Sequence, residues 1–216
     1  MAQFAVSGQH YLFDVQAFAS VILSNGGDSY DYALRDRTTR QVINDVASGS
    51  SELGVLVETT TTAEDLEETF AAAGVKFVEL KESAPRVALP ATHPLVNATS
   101  LTLDQLDDYP YVYFEQEDDA PSFLAEEALA TSARSKAIAC TDRASLSELI
   151  VALNGYTVTS GILVGISDGK GLATVPLESN VRLHLGYIVK DGAELSATGQ
   201  KFVAKLEASL NRYARF

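Results

Sequence analysis

Ser7, Gly8, Gln9 and His10 stand together within QFAVSGQHYLF, where a strand-like run passes into a helical one. Such a junction leaves free backbone N–H groups at the positive end of a helix dipole, and these favour an anion or a carboxylate. Ser7 and the amides after it can hold a ligand oxygen, with His10 as a further donor. In the plainer alternative Ser7 caps the helix and His10 lies outside any pocket. A general base needs a nucleophile or an orienting partner, and the sequence around His10 supplies neither.

Three other stretches carry comparable chemistry. Thr141-Asp142-Arg143 forms a second strand-to-helix junction, where capping alone accounts for Thr141 or Asp142 and ligand contact is the alternative. TVTSG, residues 157–161, puts the hydroxyls of Thr159 and Ser160 beside a flexible glycine. Arg35, Arg37 and Thr38 end the second strand. The acidic run at residues 115–119 lacks the repeated spacing of a metal site and reads as an acidic loop. GxGxxG, Walker, HExxH, CxxC and GxSxG patterns are all missing, which leaves no motif for a nucleotide, metal or serine-hydrolase site. The expected contact set is Ser7, Gly8, Gln9, His10, Thr38, Thr141, Thr159 and Ser160, with no catalytic residue, metal or cofactor.

The elements that position these residues alternate. Phe4 and Val6 share one face of a strand; Val15, Phe18, Ala19 and Ile22 then form a helical stripe that Asn25-Gly26-Gly27 ends. A strand over 30–34 leads to a helix capped by Thr39, carrying Val42, Ile43 and Val46 and stopping near Gly49; an apolar strand follows over 52–57. Thr62 with Asp65 reads as a helix cap, and Gly74 as that helix's end. Strands over 75–80 and 86–90 follow, and the latter, extended and proline-bearing, is where the chain crosses to a second lobe.

The pattern restarts with a capping box at Thr102 and Gln105, a strand over 111–114, a helix start at Pro121 and a strand over 136–140. A helix with Leu146, Leu149, Ile150 and Leu153 is closed by Gly155, and residues 162–166 form another apolar run. Residues 181–189 are the return crossing, and Ser196 caps a final helix with Phe202, Val203, Leu206, Leu210 and Tyr213. Two α/β lobes joined by two crossing strands make a hinged clamp, and ligands in such sheets collect at the carboxyl ends of strands.

The 216 residues suffice for two small lobes, and 46% hydrophobic with 21% charged residues implies a folded chain. With 29 acidic and 16 basic side chains the formal charge is -13, a surface that repels a phosphate backbone and disfavours DNA binding by this chain itself. Cys140, the one cysteine, reads as a buried inert thiol. Neither a secretory signal nor a membrane span is evident, so a cytoplasmic location is expected.

RVALPATHPLVNATSLTLDQLDDYPYVYF resembles the hinge strand, His-Pro-Leu, Ser-Leu, helix and strand of LysR-type transcriptional regulators. RQVINDVASGSSELGVLV is similar to that family's helix ending in glycine followed by Asp-Leu-Gly-Ile, with Glu52 in place of the aspartate, and LSATGQKFVAKL to its closing helix. The order and spacing of these segments carry the resemblance. SGQHY departs from the more usual proline-bearing first junction, where effector choice is made.

The resemblance implies a type 2 periplasmic-binding-protein-like α/β fold of two Rossmann-like lobes, residues 1–85 with 186–216 and residues 86–185. It implies a small-molecule effector in the interlobe cleft, commonly an organic acid, amino acid or aromatic metabolite, and a homodimer formed through this domain. DNA would be reached only through an N-terminal winged helix-turn-helix that this chain lacks. Helix N-termini and hydroxyls suit a carboxylate. The alternatives are a free-standing solute-binding protein of the same fold, and an enzyme using His10 or Asp142 as acid or base.

Overall fold

The computed structural model describes residues 2–25, 29–162 and 171–213. Among the described residues there are ten strands and five helices, mostly in alternation over the first ninety residues. β1 (Phe4–Gly8), β2 (Tyr32–Asp36), β3 (Leu53–Thr59), β4 (Val75–Ser83) and β10 (Leu183–Lys190) form one sheet in the order β2-β1-β3-β10-β4. β1 runs parallel to β2 and β3, whereas β10 is antiparallel to both β3 and β4. β5 (Arg86–Pro90) lies between β8 (Thr157–Thr159) and β9 (Leu172–Pro176), and β6 (Tyr111–Phe114) pairs in parallel with β7 (Ala137–Cys140). A parallel bridge from Tyr111 to Tyr156 ties these two groups together on the second side of the molecule.

Sheet membership locates the crossings. The chain leaves the first sheet after Ser83 and enters the second side at Arg86; it returns before Leu183, earlier than the expected 186, because all of β10 pairs within the first sheet. α1 (Leu12–Asn25) and α5 (Ala197–Tyr213) pack against one another, with Phe18 and Phe202 both meeting Phe4. α2 (Thr39–Ser48) and α3 (Ala63–Ala73) cover the other face through Val42, Ile43, Val46, Leu66 and Phe70. α4 (Arg143–Leu153) packs Leu146 and Ile150 on Val112 and Cys140. Burial pushes the Cys140 thiol up to about 11, in keeping with an inert core cysteine.

Several boundaries differ from the sequence expectation for local reasons. Thr38, one residue before the expected cap, closes the start of α2 by accepting from Gln41 N–H while the Gln41 side chain reaches back to Thr38 N–H. Thr62 does not cap α3; its hydroxyl accepts from Thr59 N–H instead. α4 ends on Asn154 in the left-handed conformation, ahead of Gly155. The short helix expected after Thr102 and the helix start expected at Pro121 are 3-10 turns at Asp104–Leu106 and Ser122–Leu124. The apolar run expected over 162–166 lies outside the described residues after Ile162.

Gly54 lets α2 sit directly on β3. A Cβ there would lie 2.5 Å from Val42 Cγ1 and 3.0 Å from both Ile188 and Val46. Overpacking of this kind typically costs about 1–3 kcal/mol. Gly54→Ala is therefore expected to lower the unfolding free energy by that amount, seen as a lower denaturant midpoint at unchanged m value in urea unfolding followed by circular dichroism.

Candidate functional site

β1 ends at Gly8 beneath the start of α1, and a Cβ on Gly8 would come within 2.2 Å of Asp14 Oδ2. The junction is therefore compact, and the N–H groups of Gln9, His10 and Tyr11 are already in use. Gln9 N–H donates to Val55 C=O at 3.0 Å, Tyr11 N–H to Gln9 C=O at 2.7 Å and His10 N–H to Glu126 Oε2 at 3.0 Å. The carboxylate that the helix N-terminus attracts is one of the protein's own, brought across from the second side.

Glu126 grips His10 twice, since its Oε1 lies 2.8 Å from His10 Nδ1. The two side chains are only 6% and 2% exposed, and the imidazole stacks on Phe114 with centroids 4.2 Å apart. Burial lowers the affinity of His10 for its proton and is the largest single influence. The hydrogen bond and charge of Glu126, aided by Asp36, outweigh it and the opposing Arg143, so the net displacement is upward from 6.5. Arg143, on the first turn of α4, donates to Tyr11 C=O at 3.0 Å and to both oxygens of Asp36 at 3.0 and 2.8 Å.

A cavity of about 110 Å³ opens beside this clasp, with walls from both lobes. Tyr11 and Leu12 close it from the first side; Ala88, Phe114, Leu146, Val158 and Leu172 supply apolar wall from the second. Its polar groups are His10, Glu126, Glu127, Arg143, Ser147, Thr157 and Thr159. Two of them are incomplete: Thr157 Oγ1 and Glu127 Oε2 are buried and without a hydrogen-bond partner. Glu127 Oε1 accepts from Phe114 N–H at 2.8 Å, but burial, with the charge of Glu126, drives its carboxyl up to about 8. Asp14 behaves alike, pushed by burial to about 8 with Arg143 opposing and Asp36 adding. Both carboxyls are thus mostly neutral at pH 7, and a neutral carboxyl donates a hydrogen bond.

Of the expected contact residues, His10 and Thr159 line this cavity and the others do not. Ser7 is wholly buried on the α2 side, donating to Asp45 Oδ2 at 2.6 Å with Ser51 Oγ at 2.8 Å, because the strand alternation turns it away from the cleft. Gly8 is blocked by Asp14, and Gln9 is 1% exposed, bridging Thr39 Oγ1 and Val57 N–H as an internal brace. Thr38 caps α2 and donates to Glu117 at 2.5 Å. Thr141 is exposed; the capping falls to Asp142, which accepts from Ser145 N–H at 2.9 Å. Ser160 is buried at a separate crevice beside the crossing, with Arg86 and Pro176.

Sequence reasoning missed Glu126, Glu127, Thr157 and the wall residues. The adjacent glutamates of FLAEEALA carry no motif, and only their tertiary setting buries them. Thr157 sits two positions from Thr159 on the same strand face, a spacing from which it could have been found.

Comparison with known proteins follows from this geometry. Residues 31–211 match the LysR substrate binding domain. The chain belongs to this family. Domains of the family are regulatory rather than catalytic. Similar solved structures include HinK, a LysR family transcriptional regulator from Pseudomonas aeruginosa, at 16% identity and TM-score 0.67, covering 98% of this chain and 71% of that one. The oxidized form of Corynebacterium glutamicum OxyR matches at 14% identity and TM-score 0.62, over 97% of this chain and 64% of that one. The C-terminal domain of a probable LysR family regulator from a Rhodococcus species matches at 16% and 0.63, over 94% and 97%. At such identities these likenesses establish the type 2 periplasmic-binding-protein-like fold. A search of curated protein sequences gives no match. Among the described residues no group of three or more His, Cys, Asp or Glu could hold a metal ion, and no helix is long and apolar enough to cross a membrane.

The clasp in this LysR domain carries a definite pH dependence. His10 is raised in the folded state, so its contribution is complete below 6.5 and is lost as pH rises through its folded value. Glu127 and Asp14, raised from 4.5 and 3.8 to about 8, act in the same direction, since the folded chain holds protons the unfolded chain has released. Thermal stability is expected to fall as pH rises from about 4 to about 8 and to level off above that, measured by calorimetry at fixed ionic strength, with a shallower slope in Glu127→Gln.

Proposed function

We propose that this chain is the effector-sensing half of a LysR-type transcriptional regulator, binding a small carboxylate-bearing metabolite in the interlobe cavity and thereby controlling DNA binding by an N-terminal domain. The observation that carries the reading is the cavity itself: walls from two lobes, mostly apolar, with two buried polar atoms left without partners. Natural interiors leave few such atoms unpaired, because each costs about 1–3 kcal/mol. Both atoms belong to the second lobe, while His10, Tyr11 and Leu12 close the cavity from the first; a ligand that completes them and meets these residues binds the open and closed arrangements differently, and such differential affinity moves a two-state domain.

Size limits the effector. A cavity of about 150 Å³ takes benzene, so the 110 Å³ found here suits a molecule of few heavy atoms unless the lobes part. A carboxylate is compatible with the acidic wall because neutral Glu127 and the Thr157 hydroxyl both offer a proton to it, and Arg143 lines the same wall. Association of two copies through this domain, as the family resemblance implies, belongs to the same proposal and supplies the route by which lobe geometry reaches DNA.

Isothermal titration against a panel of short carboxylic acids, amines and neutral hydrocarbons tests this directly. Short carboxylic acids are expected to bind, and binding confined to cations or purely apolar molecules would sink the carboxylate reading. Thr157→Val is expected to leave the melting temperature unchanged or raise it, since an unpartnered hydroxyl is replaced by a methyl of the same shape, while weakening the effector about tenfold.

A further inference from the structure

Residues 115–127 leave β6 and lie across the first lobe before turning back toward β7. Gln116 Oε1 accepts from Thr39 N–H at 3.2 Å, and Thr38 Oγ1 donates to Glu117. Arg40 Nη1 reaches both oxygens of Asp119 at 3.0 and 3.2 Å. Leu124, 3% exposed, is buried in the first lobe's cluster of Val42, Ile43, Leu66 and Phe70, with Phe123 packed beside it. The segment is a strap, anchored by one apolar plug and by carboxylates and amides set on the start of α2.

At the end of this strap stands Glu126. Its two oxygens engage His10 as a free carboxylate would, one on the backbone N–H ahead of α1 and one on the imidazole. Gln116 Nε2 adds a longer contact at 3.5 Å to Oε1, and Tyr11 Oη donates to the Glu126 carbonyl at 3.2 Å. The same carboxylate borders the cavity, next to Glu127, whose second oxygen is unpartnered. Charged groups from neighbouring elements complete the setting: Asp36 from β2, Arg143 from α4 and Asp14 from α1.

We propose that Glu126 is an internal ligand, its carboxylate filling a carboxylate seat at His10 and holding the lobes together, so that an effector carboxylate must compete with it for that seat. The occupied seat is a matter of geometry alone; the competition rests on the carboxylate reading of the effector given above. In this arrangement the strap fixes the closed state without effector. An effector carboxylate gains the seat by releasing Glu126, and release of Glu126 frees the strap's return limb from the first lobe.

Chemical rescue separates this from a merely structural contact. Amide hydrogen exchange resolved at His10 and along residues 115–127 is measured in the wild-type chain, Glu126→Ala and Glu126→Gln, with acetate titrated against chloride at constant ionic strength. Exchange at His10 is expected to be at least tenfold faster in Glu126→Ala and to return toward the wild-type rate as acetate is added, whereas chloride has no effect. Glu126→Gln, which keeps the shape and one hydrogen-bond acceptor without the charge, is expected to show a smaller acceleration that acetate also reverses, and it keeps the test intact should the alanine variant fail to fold. Wild-type exchange in either variant, or acceleration that acetate and chloride leave equally unchanged, overturns the proposal. The natural effector plays no part in this readout, so a fruitless ligand screen would count against the effector reading alone and failed rescue against the internal ligand alone.

Discussion

A carboxylate removed from water must recover its hydrogen bonds from the protein, and the way Glu126 recovers them determines how the two lobes meet. Isolated burial of such a charge costs several kcal/mol, which only good geometry and further hydrogen bonds offset. Here the partners are a backbone N–H that the start of α1 leaves free and an imidazole clamped against Phe114. Both come from the first lobe, while the carboxylate comes from the second. The registration of the lobes is thus written into one charge-assisted contact, and Arg143, bound to Tyr11 and Asp36, repeats the crossing in the opposite sense of charge.

The neighbouring acids are shaped mainly by burial. Buried beside Glu126, whose charge adds to the effect, Glu127 holds its proton up to about 8. Asp14 is driven the same way beneath Gly8, where Asp36 adds to the effect of burial. In a chain of net charge -13, the upward displacement of Glu127 and Asp14 to about 8 eases the crowding of acidic groups near the first junction.

Most strands and helices, β8 and β9 excepted, were legible from hydrophobic period, and so were the stripes on α2, α4 and α5, because local spacing decides which face of an element is apolar. The attraction of the first junction for a carboxylate was legible too, since helix N-termini leave N–H groups free whatever follows. What sequence could not give was the occupant. Glu126 lies 116 residues from His10, and no local rule links them. Ser7 was misplaced for the opposite reason: it belongs to the right junction, but the pleat of β1 points it toward Asp45, and a strand's inward side is fixed only by what covers each face.

The two sides of the clamp are held by different physics. At the crossings, Val87, Leu89 and Val158 of the second side share one continuous buried cluster with Leu183, Leu185, Val55 and Val57 of the first. Fully exposing even one such side chain costs about 1.5–3 kcal/mol, so separating the lobes there would consume most of a domain's stability. At the mouth the exposed ties are hydrogen bonds and ion pairs, each of net worth near 1 kcal/mol once water can replace them, whereas the buried Glu126–His10 pair holds more firmly. Arg40 and Asp119, 35% and 81% exposed, are already close to that limit. A ligand of modest affinity can therefore exchange the contacts of the strap, apart from the plug at Leu124, but cannot pull apart the core behind it. Relative movement of the lobes is confined by that difference to the strap and the start of α1, the two elements that the Glu126 carboxylate joins.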